Sequence, residues 1–205
     1  MKKILSFICA CSMVFAVTAC GSQDSVPAPG TTAPTTAPTS SQETGKEAGS
    51  DILVAYFSAT GTTKTVAGYI SEVTGGDLYE IVPEIPYSSE DLNYNDNNSR
   101  STREQNDEGA RPVISGSVED MDQYETIFLG YPIWHGDAPM VIDTFLESYD
   151  FTGKTIVPFC TSGGSGIGTS MQTIRGLCPD STVLQGSRIG NTSEIQTWLN
   201  QLGFK

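Results

Sequence analysis

The sequence predicts an α/β fold, in which a doubly wound, five-stranded parallel sheet carries helices on both faces. Two long apolar runs, 52–57 and 126–131, lack polar alternation and are therefore typical of strands that are covered on both sides. Apolar residues at helical spacing follow each of these runs. Because strands that alternate with helices pair in parallel through right-handed crossovers, this order favours a doubly wound sheet.

The predicted elements follow one another regularly from residue 52 to the end of the chain. Each helix is predicted from apolar residues three or four positions apart, and Gly75 with Gly76 predicts the end of the first helix. The alternation indicates a single domain over 51–205, a length that can bury a core. The predicted strands are 52–57, 78–82, 126–131, 155–159 and 181–184, and the predicted helices centre on 66–73, 141–149, 167–177 and 195–202.

Residues 1–19 predict an export signal peptide. Lys2 and Lys3 precede an apolar run over 4–19 that is too short and too rich in small residues for a comfortable membrane span. The run ends in Val-Thr-Ala-Cys at 17–20, which resembles a bacterial lipobox and implies that Cys20 becomes the lipidated first residue. The alternative is an ordinary signal peptide with an incidental cysteine. Acyl chains on Cys20 would anchor the protein to the cell membrane as a bacterial lipoprotein.

Residues 20–50 predict a disordered linker, because Thr, Pro, Ala and Ser dominate and few residues there are able to form a core. The formal net charge of the whole chain is −13, and it becomes −15 without residues 1–19, which carry two lysines and no acids. This acidity argues against nucleic acid as a partner. It suits a basic protein partner or a cationic surface, and it equally suits solubility outside the cell.

The cysteines and the histidine exclude two classes of protein. Of five cysteines only Cys160 and Cys178 belong to 51–205, so the domain is not a disulfide scaffold. With His135 as the only histidine, the sequence predicts no metal site.

The loop after the first strand has the composition of an anion site. Ser58, Thr60, Thr62 and Thr63 supply hydroxyl groups where a helix begins, and Gly61 allows close approach to the backbone. Free amides and the positive end of the helix dipole favour an anion there. The alternative is plain helix capping, which needs only one such residue. A nucleotide P-loop is excluded, since Thr63 stands where that motif requires glycine.

Residues 57–63, Phe-Ser-Ala-Thr-Gly-Thr-Thr, resemble the phosphate loop of the flavodoxin family, and the strand spacing from Asp51 to the end fits that family. The resemblance implies that flavin mononucleotide (FMN) is the cofactor. It implies that the hydroxyls of Ser58, Thr60, Thr62 and Thr63, with the amide of Gly61, bind its phosphate. It also implies the strand order 2-1-3-4-5, for which flavodoxin itself is a reference example, with the flavin between strands one and three.

The loop after the third strand contains Pro132, Ile133, Trp134 and His135. In flavodoxins this loop lies against the isoalloxazine ring, so the resemblance implies that Trp134 lies beside the flavin. The alternative is that Trp134 is a core or lid aromatic. His135 is the candidate catalytic residue, as a proton donor near the flavin or a substrate, and its alternative is an exposed loop histidine.

The loop after the fourth strand contributes Thr161, Ser162, Gly163 and Gly164, whose small size lets the backbone approach the ring edge. Many flavodoxins carry a second aromatic in this loop. Its absence here predicts that one flavin face is open to a small molecule. Cys160 next to the loop is expected to be a buried, inert thiol, and the glycines do not form a dinucleotide fingerprint.

The connection over 84–111 is too long for an ordinary loop. It is expected to cover the sheet edge, and the alternative is a lid over the flavin that brings Tyr94, Arg100 or Arg103 near a substrate.

Three functions follow from these observations. The first is an FMN-binding electron-transfer protein at the cell surface that needs a redox partner protein. The second is an FMN-dependent reductase of a quinone, azo or other small electron acceptor. The third is a non-catalytic binder of FMN or another phosphate ligand.

Overall fold

The computed structural model describes residues 50–204. The predictions of a signal peptide, of lipidation at Cys20 and of a linker therefore concern residues outside the described part, apart from Ser50 at its edge. Within 50–204, no helix combines the length and the apolar character needed to cross a membrane.

The described chain alternates strands and helices as predicted. A 3-10 helix over Met121–Gln123 precedes the fifth strand. The strands are β1 (Ile52–Tyr56), β2 (Asp77–Glu80), β3 (Val82–Pro83), β4 (Ile114–Ser115), β5 (Thr126–Pro132), β6 (Thr155–Thr161), β7 (Thr182–Val183) and β8 (Ser187–Arg188). The helices are α1 (Thr62–Thr74), α2 (Arg100–Gln105), α3 (Met140–Glu147), α4 (Gly168–Leu177) and α5 (Ser193–Leu202).

The main sheet has the order β2-β1-β5-β6-β7, and all its pairs are parallel. β3 and β4 form a separate antiparallel pair, so β5, β6 and β7 are the third, fourth and fifth strands of the main sheet. Its order is therefore the predicted 2-1-3-4-5. Alternate residues of β1 face opposite sides: Ala55 packs with α3 and α4, whereas Val54 packs with α1 and α5. Burial on both faces explains the uninterrupted apolar runs and confirms the doubly wound α/β class.

The second strand is shorter than predicted. It ends at Glu80 rather than at Val82, and the amide of Ile81 donates to the carbonyl of Tyr56 at 2.7 Å. Val82 and Pro83 then turn away to pair with β4. This small ribbon is the base from which the long 84–111 connection leaves and returns.

The last strand extends further than predicted and is interrupted once. Both β7 and β8 pair with β6, but between the two pairings the outer strand contains one residue more than β6, which makes a bulge. The bulge lies beside Pro158, which has no amide hydrogen to donate. A Cβ atom at Gly186 would lie 2.6 Å from the carbonyl oxygen of Pro158, so this close approach requires glycine. The extension carries Ile189 and Gly190 up to the end of the sheet.

The 84–111 connection is held by its own polar contacts. Arg100 bonds Glu104 through Nε at 2.6 Å and the carbonyl of Ile85 through a terminal nitrogen at 2.7 Å. Its guanidinium also lies 4.1 Å from the ring centroid of Tyr87, a cation–π contact. Farther along, Arg111 bonds both carboxylate oxygens of Glu147 on α3, at 2.8 and 2.7 Å. These contacts fix the connection to the domain.

Candidate functional site

A cavity of about 560 Å³ lies at the carboxyl ends of β1, β5 and β6, where ligands bind in open α/β sheets. None of the side chains that line it is charged. Three of the residues predicted for the site do not line it, namely Gly61, Gly164 and His135. The lining residues are Ser58, Ala59, Thr60, Thr62, Thr63, Leu92, Tyr94, Pro132, Ile133, Trp134, Thr161, Ser162, Gly163, Ile189 and Gly190.

The start of α1 supplies hydrogen-bond donors to one end of the cavity. The first bond of the helix runs from the amide of Thr65 to the carbonyl of Gly61, at 3.1 Å. The amides of Thr62, Thr63 and Lys64 therefore precede the helical ladder and have no carbonyl within it to bind. Gly61 is the N-cap with φ of 89°, a left-handed conformation that favours glycine. The loop thus presents a row of amides and the positive end of the helix dipole.

The hydroxyl groups of this loop divide into two kinds. Thr63 is buried, and its Oγ1 lies 2.9 Å from Oγ1 of Thr161, so this pair ties the first loop to the loop after β6. Thr60 and Thr62 are exposed and line the cavity. Ser58 Oγ accepts a hydrogen bond from the amide of Gly61 at 3.1 Å, so that amide, predicted as a phosphate donor, already has a partner. The hydrogen of the Ser58 hydroxyl remains able to donate.

Lys64, the lysine at the start of α1, is paired with a carboxylate. Lys64 Nζ lies 2.7 Å from Glu80 Oε2, and Tyr56 donates to the same oxygen at 3.0 Å. The hydrogen bond to Glu80 raises the pKa of Lys64. An anion at the start of α1 would accordingly be held by amides and hydroxyl groups rather than by an arginine clamp.

Trp134 also lines the cavity, and two aromatic neighbours fix its ring. It is only 4% exposed and packs edge to face against Phe57 and Tyr87, with ring centroids 5.4 and 4.9 Å away. The two alternatives for Trp134 are therefore compatible, since the side chain belongs to the core and also forms part of the cavity wall.

The outer wall of the cavity comes from the 84–111 connection, through Leu92 and Tyr94. Tyr94 is 54% exposed, and its ring centroid lies 5.2 Å from that of His135. An aromatic side chain thus lines the cavity although the loop after β6 has none, and an open flavin face stays a prediction. The connection does more than cover the sheet edge. Arg100 and Arg103 do not line the cavity.

His135 lies in a tight turn at the end of β5. Trp134 and Asp137 exchange two backbone hydrogen bonds of 2.9 Å, and φ is 47° at His135 and 92° at Gly136, which is type I′ geometry. The turn directs His135 to the 84–111 connection, where its Nε2 lies 3.2 Å from Oγ1 of Thr102. The side chain holds this connection rather than forming the cavity wall, and a catalytic role for it stays a prediction.

The loop after β6 completes the wall with Thr161, Ser162 and Gly163. Ile189 and Gly190, beyond the bulged last strand, also line the cavity, and sequence reasoning missed both. The neighbouring Cys160 is fully buried, and burial raises its thiol pKa to about 12, as expected for an inert cysteine.

Comparison with known proteins identifies the family to which this architecture belongs. The model of the Flavodoxin family matches residues 51–202. The chain belongs to the flavodoxin family. Comparison with curated proteins gave no match.

Solved structures agree with this membership. The chain is 45% identical to a candidate flavoprotein from Bacteroides eggerthii DSM 20697, with a TM-score of 0.71, 75% of this chain and 98% of that chain covered. It is 38% identical to a candidate flavoprotein from Bacteroides uniformis ATCC 8492. The TM-score is again 0.71, and the match covers 74% of this chain and 99% of that chain. A flavoprotein from Lactobacillus acidophilus NCFM in complex with FMN is 24% identical and shares the fold, with a TM-score of 0.54. The match covers 72% of this chain and 97% of that chain.

Proposed function

We propose that this flavodoxin-family protein binds FMN in the cavity at the ends of β1, β5 and β6 and uses it to transfer electrons. The observation that carries the proposal is that one uncharged cavity combines the unbonded amides of α1 with the aromatic side chains of Trp134 and Tyr94. A ligand with an anionic group and a flat aromatic ring matches this distribution. The volume of about 560 Å³ lies within the range of small-molecule and cofactor sites.

The residues fit FMN group by group. The amides of Thr62, Thr63 and Lys64, with the hydroxyls of Thr60 and Thr62, would hold the phosphate, since they are free to donate at the positive end of α1. Trp134 and Tyr94 would contact the ring. When bound, FMN supplies the capacity to take up and release electrons, while the protein orients it and excludes water.

Tyr94 favours an electron carrier over a reductase of small molecules. The reductase hypothesis depended on an open flavin face, and Leu92 and Tyr94, which line the same cavity, would cover that face. A carrier exchanges electrons with a redox partner protein at the cavity edge and needs no substrate pocket on the ring. The strongly acidic chain, with a formal charge of −13, suits a partner with a basic surface.

The test is reconstitution of the purified protein with FMN, followed by reduction and reoxidation monitored by flavin absorbance. We expect bound FMN with quenched fluorescence, reduction by a chemical reductant but not by NADH or NADPH alone, and rapid reoxidation by an electron-accepting protein. Failure to bind FMN after reconstitution would overturn the proposal. Oxidation of NADH with a quinone or azo acceptor and no second protein would establish a reductase, and bound FMN that cannot be reduced would establish a binder.

We also propose that the chain is exported and anchored to the cell membrane through lipid on Cys20. The support is the charged start, the apolar run over 4–19 and the Val-Thr-Ala-Cys end of that run. The test is expression of the full chain and of Cys20→Ser in a bacterial host, followed by membrane fractionation. The parent should sediment with membranes and the variant should not, and equal distribution of both would contradict the anchor.

A further inference from the structure

A second cavity, of about 530 Å³, lies on the other side of the turn that carries Trp134 and His135. It is built where the end of α2, this turn, the start of α3 and the start of α4 meet. Nothing in the proposed FMN function uses it. Its lining residues are Gln105, Asn106, Glu108, His135, Gly136, Asp137, Met140, Asp143, Thr169 and Thr173.

The ionised groups that line this cavity are acidic. Glu108, Asp137 and Asp143 contribute carboxylates, and the lining includes no lysine or arginine. The carboxylate of Asp137 is already bonded, because Oδ1 accepts from the amide of Ala138 at 2.7 Å and Oδ2 accepts from Oγ1 of Thr173 at 2.9 Å. Asp137 therefore adds negative charge to the cavity wall, but its carboxylate can accept few further hydrogen bonds.

Asp143 differs from Asp137 in having no partner. The residue is only 7% exposed and accepts no hydrogen bond from any residue of 50–204, and its carboxylate oxygens keep accessible surface at the cavity. Arg111 is the cation whose field reaches it, yet the donors of Arg111 bind both oxygens of Glu147 and the carbonyls of Glu108 and Ala110. Partial burial disfavours the charged carboxylate and raises the pKa of Asp143 to about 6.

A second acceptor beside the cavity also lacks a donor. Gln105 donates through Nε2 to the carbonyl of Ala138 at 2.9 Å, which fixes the orientation of its amide. Its Oε1 is buried and has no partner among the described residues. Because this oxygen is enclosed by the protein, the carboxylate of Asp143 is the unpaired acceptor that a ligand in the cavity can reach.

We propose that the second cavity is a binding site for a small organic cation that carries an ammonium or guanidinium group. Such a group has several N–H donors and a positive charge, which are what the unpaired Asp143 carboxylate and the acidic wall lack. The volume suits a small molecule. A metal ion fits less well, since no cluster of three or more His, Cys, Asp or Glu side chains in 50–204 is arranged to hold one.

The test is a titration of the purified protein with agmatine, which carries both cationic groups, monitored by amide chemical shifts in isotope-labelled protein. We expect saturable shifts at Asp143, Thr169 and Thr173, and no saturation with the neutral analogue n-butylurea. Asp143→Asn should weaken agmatine at least about tenfold, because a charge-assisted hydrogen bond is lost. Asp122→Asn, an equal change of charge at an exposed residue outside the lining, should leave the affinity unchanged.

The pH dependence gives a second readout. The groups facing Asp143 are Arg111, Asp137 and Glu147, and Glu108 and His135 line the same cavity. With a pKa of about 6, the ionised fraction of Asp143 rises from about one tenth at pH 5 to about nine tenths at pH 7. Agmatine affinity should therefore rise severalfold over this range in the parent. The rise should disappear in Asp143→Asn, whereas a dependence set by His135 would persist.

Two further arms make the outcome decisive. The peptide acetyl-Gly-Arg-Gly-amide carries the same guanidinium group on a protein-like backbone. Tighter binding of agmatine than of the peptide would assign the site to a small molecule. Tighter binding of the peptide would assign it to an arginine side chain of a partner protein and overturn the proposal. Equal binding of agmatine and butylurea, or equal affinity in Asp143→Asn and parent, would overturn the proposal. FMN binding should be the same in Asp143→Asn and parent, so this inference fails or holds separately from the flavin site.

Discussion

The two cavities beside the turn at 134–137 are close in volume, at about 560 and 530 Å³, and opposite in chemistry. The first has uncharged walls and unbonded donors at the start of α1. The second has acidic walls and an unbonded acceptor at Asp143. The turn separates them, with Trp134 lining the first cavity while His135 and Asp137 line the second. One strand end can therefore support two sites of different specificity.

The largest effect is expected when hydroxyl donors are removed from the first cavity. In Thr60→Val with Thr62→Val, the hydroxyls are lost while the shape of the side chains is kept. Because hydrogen bonds to a charged group contribute about 1.5–3 kcal/mol each when buried, and less where exposed, FMN affinity should fall about a hundredfold. Fluorescence titration measures the change.

Riboflavin, which has no phosphate, is the matched ligand for this double variant. Its affinity should be the same in the variant and the parent, because the lost hydroxyls face only the phosphate. Thr152→Val, at an exposed threonine outside the cavity lining, should change neither ligand. Equal losses for FMN and riboflavin would mean that the hydroxyl-rich loop does not hold the phosphate.

A smaller effect is expected at the aromatic wall. Trp134→Leu keeps an apolar side chain but removes the π face, and stacking on an aromatic contributes about 1–3 kcal/mol, so FMN affinity should fall about thirtyfold. Trp134→Phe should lose only a few-fold. Trp198→Leu is the control, since Trp198 packs with Phe128 and Phe159 in the apolar cluster beneath α1 and α5. It should lower the unfolding temperature without changing FMN affinity.

The smallest effect concerns stability and the second cavity. The pKa of Asp143 is raised in the folded state, so ionisation of Asp143 opposes folding, and this destabilisation grows between about pH 4 and pH 7. Asp143→Asn should raise the free energy of unfolding by roughly 1 kcal/mol at pH 8, less than the full pKa shift implies because solvent at the cavity screens the carboxylate, and by nothing near pH 4. Urea unfolding at the two pH values measures the difference. A variant less stable than the parent at pH 8 would show that the carboxylate has a partner within the fold.

The part of the first cavity formed by the loops after β1 and β5 was predictable, because local sequence determines it. An apolar strand followed at once by Ser58, Thr60 and Gly61 predicts amides and hydroxyls at a sheet end, whatever the rest of the chain does. Trp134 was predictable for the same reason, as a residue directly after a buried strand. The parallel order of the sheet then brings both loops together.

The outer wall was predicted only as an alternative, a lid carrying Tyr94, because it depends on contacts between residues far apart in the chain. Tyr94 lies in an Asn- and Asp-rich stretch without periodicity, and its position is set by contacts such as that between Thr102 and His135. Ile189 and Gly190 reach the cavity only through the bulge beside Pro158. The orientation of His135 follows from a left-handed φ, a conformation that histidine adopts more readily than most residues but that sequence reasoning did not predict.

A crystal structure of the protein with FMN tests the central claim most directly. The account predicts phosphate oxygens about 2.7–3.2 Å from the amides of Thr62, Thr63 and Lys64, with the isoalloxazine ring against Trp134. It further predicts that Tyr94 closes the opposite side of the ring. A phosphate that points away from the start of α1, or FMN bound at another surface, would contradict the account.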